Sequence, residues 1–157
     1  MPDAGGVRLV VFGVGNELMR DDGIGVRVAR RLRETLADER VAVIEAGTAV
    51  LDALDLVPAG ADVIVVDAAS GGAPPGSVHR FGLDDLSARR GVSLHEVGLP
   101  EAVALARLGG AEFGNVIVLG VEPAAIEAGT ELSPILEAKL PAILDAVRAE
   151  VARLLSS

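Results

Sequence analysis

The chain has 157 residues, half of them hydrophobic, with a formal net charge of −9 and no cysteine. The length fits one domain on the usual scale of roughly 100–200 residues. The acid excess argues against nucleic-acid partners and gives no pull toward anionic membranes, and without cysteine there is no disulfide, thiolate ligand or Cys nucleophile.

With three Phe and neither Trp nor Tyr, the core must be aliphatic. Met1 to Gly6 reads as a short flexible leader, with no basic n-region followed by an apolar run, so no signal peptide is expected. No apolar run approaches the roughly 20 residues that span a bilayer, and a soluble cytoplasmic protein is the expectation. Val7 to Phe12 is a nearly continuous apolar run, as in a strand buried on both faces of a parallel sheet. Gly13 to Gly25 is a glycine-rich turn. From Ile24 the period changes: Ile24, Val28, Leu32 and Leu36 fall four apart while Arg27, Arg30, Arg31 and Arg33 take the other face, an amphipathic helix.

Val41 to Ile44 predicts a second strand, and Ala49 to Val57 a helix ended by Pro58 and Gly60. DVIVVD, from Asp62 to Asp67, is the clearest central strand, with four β-branched residues in a row. Ser70 to Ser77 is a loop by composition, Val78 to Phe81 an edge or half-exposed strand, and Leu86 to Leu94 irregular. Pro100 to Leu108 predicts a helix followed by Gly109–Gly110, and Asn115 to Gly120 another buried strand. A loop beginning Val121-Glu122-Pro123 leads to Ser133 and Pro134, read as N-cap and first residue of a long helix. The alternation gives a single α/β domain over residues 1–157, a mostly parallel twisted sheet of about five strands with helices on both faces in three layers.

Open α/β sheets place ligands beyond the carboxyl ends of their strands. Three chemistry-bearing residues fall just after strands or before helices: Asp22, Asp67 and His95. Two carboxylates and an imidazole suit a borderline divalent cation with open positions, which polarises a carbonyl or acidifies a bound water. Each has a plainer reading. Asp22 stands where an N-cap would, with Asp21 beside it, so that one caps while the other faces the site. His95 alone reads as a hydrogen-bonded loop residue, His79 as surface, and Glu17 as a solvated turn residue. Asp67 is harder to explain away, because a carboxylate after VIVV is costly to bury unless paired or ligated. The turn is no dinucleotide loop: Leu18 stands where G-x-G-x-x-G needs its third glycine.

GVGNELMRDDGIGVRVARRL, EAGTA from Glu45, VIVVDA from Val63, SLHEVGLPEAV from Ser93 and VLGVEP from Val118 together resemble the hydrogenase maturation endopeptidases. The blocks follow the family's order over nearly the whole chain, and the first and the His block are the specific ones. The resemblance implies a peptidase that removes the C-terminal extension of a nickel–iron hydrogenase large-subunit precursor after nickel insertion. It implies a metal-contacting set of Asp22, Asp67 and His95, with the nickel supplied by the precursor or replaced in isolation by another divalent cation. The family's first acid is Glu or Asp; here Asp is one methylene shorter, which leaves the division of work between Asp21 and Asp22 open. Asp21, Asp22 and Asp67 are the expected catalytic carboxylates, Asp21 as a base for water. A groove near Gly47, Thr48 and the Ser70 to Ser77 loop is expected to take the peptide. A monomer that meets its precursor transiently is expected, and the alternative is a non-catalytic chaperone that binds the nickel-loaded precursor.

Overall fold

A computed structural model describes residues 6–83, 93–94 and 99–157. The chain runs β1 (Leu9–Val14), a 3-10 turn (Arg20–Gly23), α1 (Ile24–Thr35), β2 (Val41–Gly47), α2 (Val50–Leu54), β3 (Asp62–Ser70) and β4 (Val78–Gly82). It continues with β5 (Ser93–Leu94), α3 (Leu99–Leu108), β6 (Val116–Val121) and α4 (Pro134–Leu155). The main sheet has the order β2-β1-β3-β6-β4; all pairings are parallel except β4 against β6. β5 adds two residues antiparallel to the tip of β3, Leu94 opposite Ala69 and Ser93 opposite Ser70. Of the stretch expected to be irregular, this strand is what falls within the described residues.

The sheet separates two cores because successive strand residues point to opposite faces. Leu9, Val11, Ile64 and Val66 pack with Ile24, Val28 and Leu32 of α1 and the apolar face of α4. Val10, Phe12, Val63 and Val65 pack with Val50, Ala53 and Leu54 of α2 and Leu99 and Val103 of α3. The expected three-layer α/β fold is therefore present. A helix as short as α1 is marginal alone; its buried Ile, Val and Leu, each worth about 1.5–3 kcal/mol, hold it to the sheet. The second strand outruns its expected end at Ile44, since parallel pairing with β1 carries it on to Gly47. The second helix is shorter than its pattern, ending at Leu54.

Strand order reverses at β1: the chain passes from β1 to β2 on one side, then crosses to β3 on the other. The crevice beyond the carboxyl ends of β1 and β3 is thus the topological switch point, where such sheets bind ligands. The start of α1 is pressed into this crevice. A Cβ on Gly25 would lie 2.1 Å from the Val66 carbonyl oxygen and 2.4 Å from that of Val14. Both are backbone atoms of strands that cannot retreat. Gly25→Ala is expected to lose about 2–3 kcal/mol by overpacking, although helix propensity alone favours Ala by about 1 kcal/mol. A urea midpoint at or above that of the wild type would show that the approach is looser than described.

Candidate active site

Asp67 lies near the carboxyl end of β3 and is 1% exposed, with Oδ1 accepting the Ala68 N–H at 2.8 Å. Asp22 comes from the 3-10 turn after β1, and its Oδ2 accepts the Asn16 N–H at 3.0 Å. Gly15 stands between them. A Cβ there would fall 2.0 Å from the Asp22 carbonyl oxygen and 3.7 Å from Asp67 Oδ1. Its φ of +130° is a second reason for glycine. Gly15 is thus flanked at the switch point by the main chain of Asp22 and the carboxylate of Asp67, residues 45 positions apart by their numbers. Capping does not explain Asp22, since the N-cap of α1 is Gly23 with no side-chain cap.

His95 lies outside the described residues. Its neighbour Leu94 is paired with Ala69, two residues beyond Asp67. Among the described residues no three His, Cys, Asp or Glu side chains gather as a cation site.

Asp21 has a different fate from Asp22. It is 0% exposed and its carboxylate accepts four hydrogen bonds: Ala124 N–H and Ala125 N–H at 2.9 Å, Ser133 N–H and Ser133 Oγ–H at 2.7 Å. Burial pushes its pKa up, but the bonds from Ser133, Ala125 and Ala124 outweigh burial and hold it below the ordinary aspartate value. A carboxylate that is fully buried and already bound by four donors serves to join two segments of the fold, which is a different task from the expected one of base. Ser133 does occupy the N-cap position with Pro134 after it, but its hydroxyl serves Asp21 and not the helix.

His79 also departs from expectation. It is half-buried and its Nε2 lies 3.1 Å from Glu122 Oε1. Glu122 is 5% exposed, and the same oxygen accepts Gly71 N–H at 2.8 Å and Ala73 N–H at 3.2 Å. Burial raises its pKa, while the bonds from Gly71, His79 and Ala73 bring it below the usual glutamate value. No local pattern marked Glu122; the one available signal was an acid directly after an apolar strand. Glu17, read as a solvated turn residue, ion-pairs with Arg30 at 2.9 Å.

A hollow of about 320 Å³ opens beside Gly15, lined by Asn16, Leu18, Val26, Gly47 and Thr48 among others. This matches the groove expected at Gly47 and Thr48, although the Ser70 to Ser77 loop does not line it. A larger hollow of about 560 Å³ lies between α2 and α3 at the opposite end of the strands, away from these acids.

Fold and rim define a single-domain α/β protein whose candidate chemistry rests on carboxylates at the switch point. Comparison with known proteins carries this further. Residues 26–150 match the hydrogenase maturation protease (HycI) family. The chain is 34% identical to the hydrogenase expression/formation protein HupD of Rhodobacter capsulatus, over 90% of this chain and 70% of that protein. It is 32% identical to HupD of Thiocapsa roseopersicina, over 86% of this chain and 64% of that one. The chain thus spans about two thirds of the length of these curated relatives. Among solved structures, the hydrogenase maturating endopeptidase HybD from E. coli superposes with a TM-score of 0.78 at 30% identity, covering 94% of this chain and 93% of that one. The chain belongs to the hydrogenase maturation protease family, whose named members are peptidases.

Asp21 generates a prediction independent of activity. A group whose folded pKa is depressed contributes stability above its unfolded value and loses it as pH falls through the folded value. Wild-type stability should therefore drop on acidification below the ordinary aspartate range. Asp21→Asn should lose about 2–3 kcal/mol at neutral pH, since its NH2 meets a backbone donor in place of an acceptor. It should also show a flatter acid limb in denaturant titrations at several pH values. Equal limbs in the two proteins would remove Asp21 from the account.

Proposed function

We propose that this chain removes the C-terminal extension of a nickel–iron hydrogenase large-subunit precursor after nickel insertion, with the precursor's nickel as the feature it recognises. The observation that carries this reading is the approach of the Asp22 main chain and the Asp67 carboxylate to Gly15 at the switch point of a chain in this family. Asp22, Asp67 and His95 form the metal-contacting set. Two carboxylate oxygens and one imidazole nitrogen are donors that suit a borderline divalent cation. The pairing of Leu94 with Ala69 supports the inclusion of His95, since it brings Leu94, the residue before it in sequence, to the end of β3. A metal so held would act as a Lewis acid on a peptide carbonyl.

The chain's own residues do the rest. Asp67, fixed by the Ala68 N–H, and Asp22, fixed by the Asn16 N–H, hold their carboxylates in place before the precursor arrives. Such preorganisation favours discrimination, because a nickel-free precursor offers nothing for the three ligands to grip. The hollow beside Gly15, with Leu18 and Val26 in its wall, takes the peptide flanking the cut bond. No helix among the described residues is long and apolar enough to cross a membrane, and the reading is of a cytoplasmic monomer that meets its precursor transiently.

Asp67→Asn tests the reading. The variant keeps the size and the acceptor for Ala68, so circular dichroism and thermal unfolding should stay near wild type. Incubated with nickel-loaded precursor, wild type should shorten the large subunit by mass spectrometry, and the variant should not. Trimming by Asp67→Asn at the native rate rules out this role for Asp67. An intact precursor held in a stable complex with wild-type protein points to a binding chaperone instead.

A further inference from the structure

Glu122 is a buried carboxylate for which the proposed reaction has no task. It sits one residue beyond β6, and five hydrogen bonds join it to the β3–β4 connection and the start of β4. Its Oε1 accepts from Gly71, Ala73 and His79. Its backbone carbonyl accepts from Gly76 at 2.8 Å and its N–H donates to the Ser77 carbonyl at 2.9 Å. Gly71 directly follows Ser70, and Ser70 is paired with Ser93 of β5.

The place of this cluster matters. Gly120 is in register with Asp67 on one side and His79 on the other. Asp67 and His79 thus occupy one row across three strands, roughly 10 Å apart at about 4.8 Å per strand. They also share a face: Val63 and Val65, in step with Asp67, and Phe81, in step with His79, belong to the same core. The Glu122 cluster therefore stands on the same rim as Asp67.

We infer that Glu122 is a positioning residue for precursor recognition: its carboxylate holds the tip of β3, and with it β5, in fixed relation to Asp67. The contact chain is Glu122 to Gly71 and Ala73, then Ser70 to Ser93. A charged acceptor suits this work, since bonds from backbone amides to a carboxylate are about twice as strong as neutral ones. The role rests on the processing reading above for its functional consequence, but its structural half stands alone.

The test uses the whole chain and nickel-loaded precursor, with three variants. Glu122→Ala removes the acceptor, Glu122→Asp keeps the charge but falls one methylene short, and Glu122→Gln keeps both reach and an acceptor oxygen. Glu122→Ala should raise KM for the precursor about tenfold with a smaller change in kcat. The Ser93 and Leu94 amides should exchange hydrogen faster. Glu122→Asp should move both readouts the same way by a smaller factor, and Glu122→Gln should restore part of each, since its oxygen still accepts but without the charge.

Wild-type KM and wild-type exchange in Glu122→Ala would overturn the inference. So would equal losses in the Ala and Gln variants accompanied by a matching fall in Tm, the mark of general destabilisation. If Glu122→Ala does not fold, the contrast between the Asp and Gln variants decides on the same criteria. If wild type cleaves no precursor, the processing reading fails, while amide exchange at Ser93 and Leu94 still tests the hold of Glu122 on the β3 tip.

Discussion

The arrangement of this rim depends on the carboxylate of Asp21. It reaches from the turn after β1 to the segment after β6 and binds three backbone N–H groups and a hydroxyl there. Around it the two segments are laced together. Asp21 N–H donates to Ala125, Arg20 N–H to the Gly129 carbonyl, and Gly129 N–H back to Leu18. Arg20 keeps a positive φ of 49°, an unusual conformation for a side-chain-bearing residue. Its guanidinium is held to Glu127 and to the Glu131 carbonyl. An isolated buried carboxylate is costly. Four donors reverse that cost, and the turn carrying Asp22 is thereby tied to a distant part of the fold. Asp22 owes its position to its neighbour's bonds.

The second constraint is steric. Asp22 belongs to the turn before α1 and Asp67 to a strand of the sheet beneath, and that turn comes close to the sheet only because nothing projects from Gly15 between them. Gly15 leaves the gap over the tip of β1, and Gly25 lets α1 descend onto the Val14 and Val66 carbonyls. A side chain at either place would lift the turn away from the sheet. The glycines that resemble a phosphate loop therefore serve close packing between a helix and a sheet.

What could be read in the sequence follows from range. The sheet, its alternation with helices, and the apolar faces of α1 and α4 are local patterns of period and composition, and they were legible. Asp67 was legible for a similar reason: one acid after four β-branched residues is a local anomaly. Asp21 and Asp22 were not separable, because adjacent aspartates before a helix send the same local signal. Their difference lies in Ala124, Ala125 and Ser133, more than 100 positions away. The join between Glu122 and His79 was hidden likewise, since it exists only in the antiparallel register of β4 on β6. The same limit applied to Ser133, whose N-cap position was plain and whose actual acceptor was not.

Taken together, Asp21, Glu122 and Asp62 form a relay of fixed points. Asp21 joins the turn after β1 to the segment after β6, and Glu122, near the start of that segment, joins it to the β3–β4 connection. At the far end of β3, Asp62 accepts the Asn115 N–H at 2.7 Å and ties β3 to the entry of β6. These anchors are carboxylates bonded chiefly to backbone amides. Arginines, by contrast, pair with Glu17, Glu45 and Glu150 around the helices. An ion pair between two long side chains leaves several torsions free to drift, whereas a short carboxylate on backbone N–H groups fixes main chain to main chain. If, as proposed, the site grips a metal centre carried by the precursor, it cannot rely on that metal to assemble it beforehand. Its loops must already hold their geometry, and amide-bonded carboxylates are the means by which this rim does so.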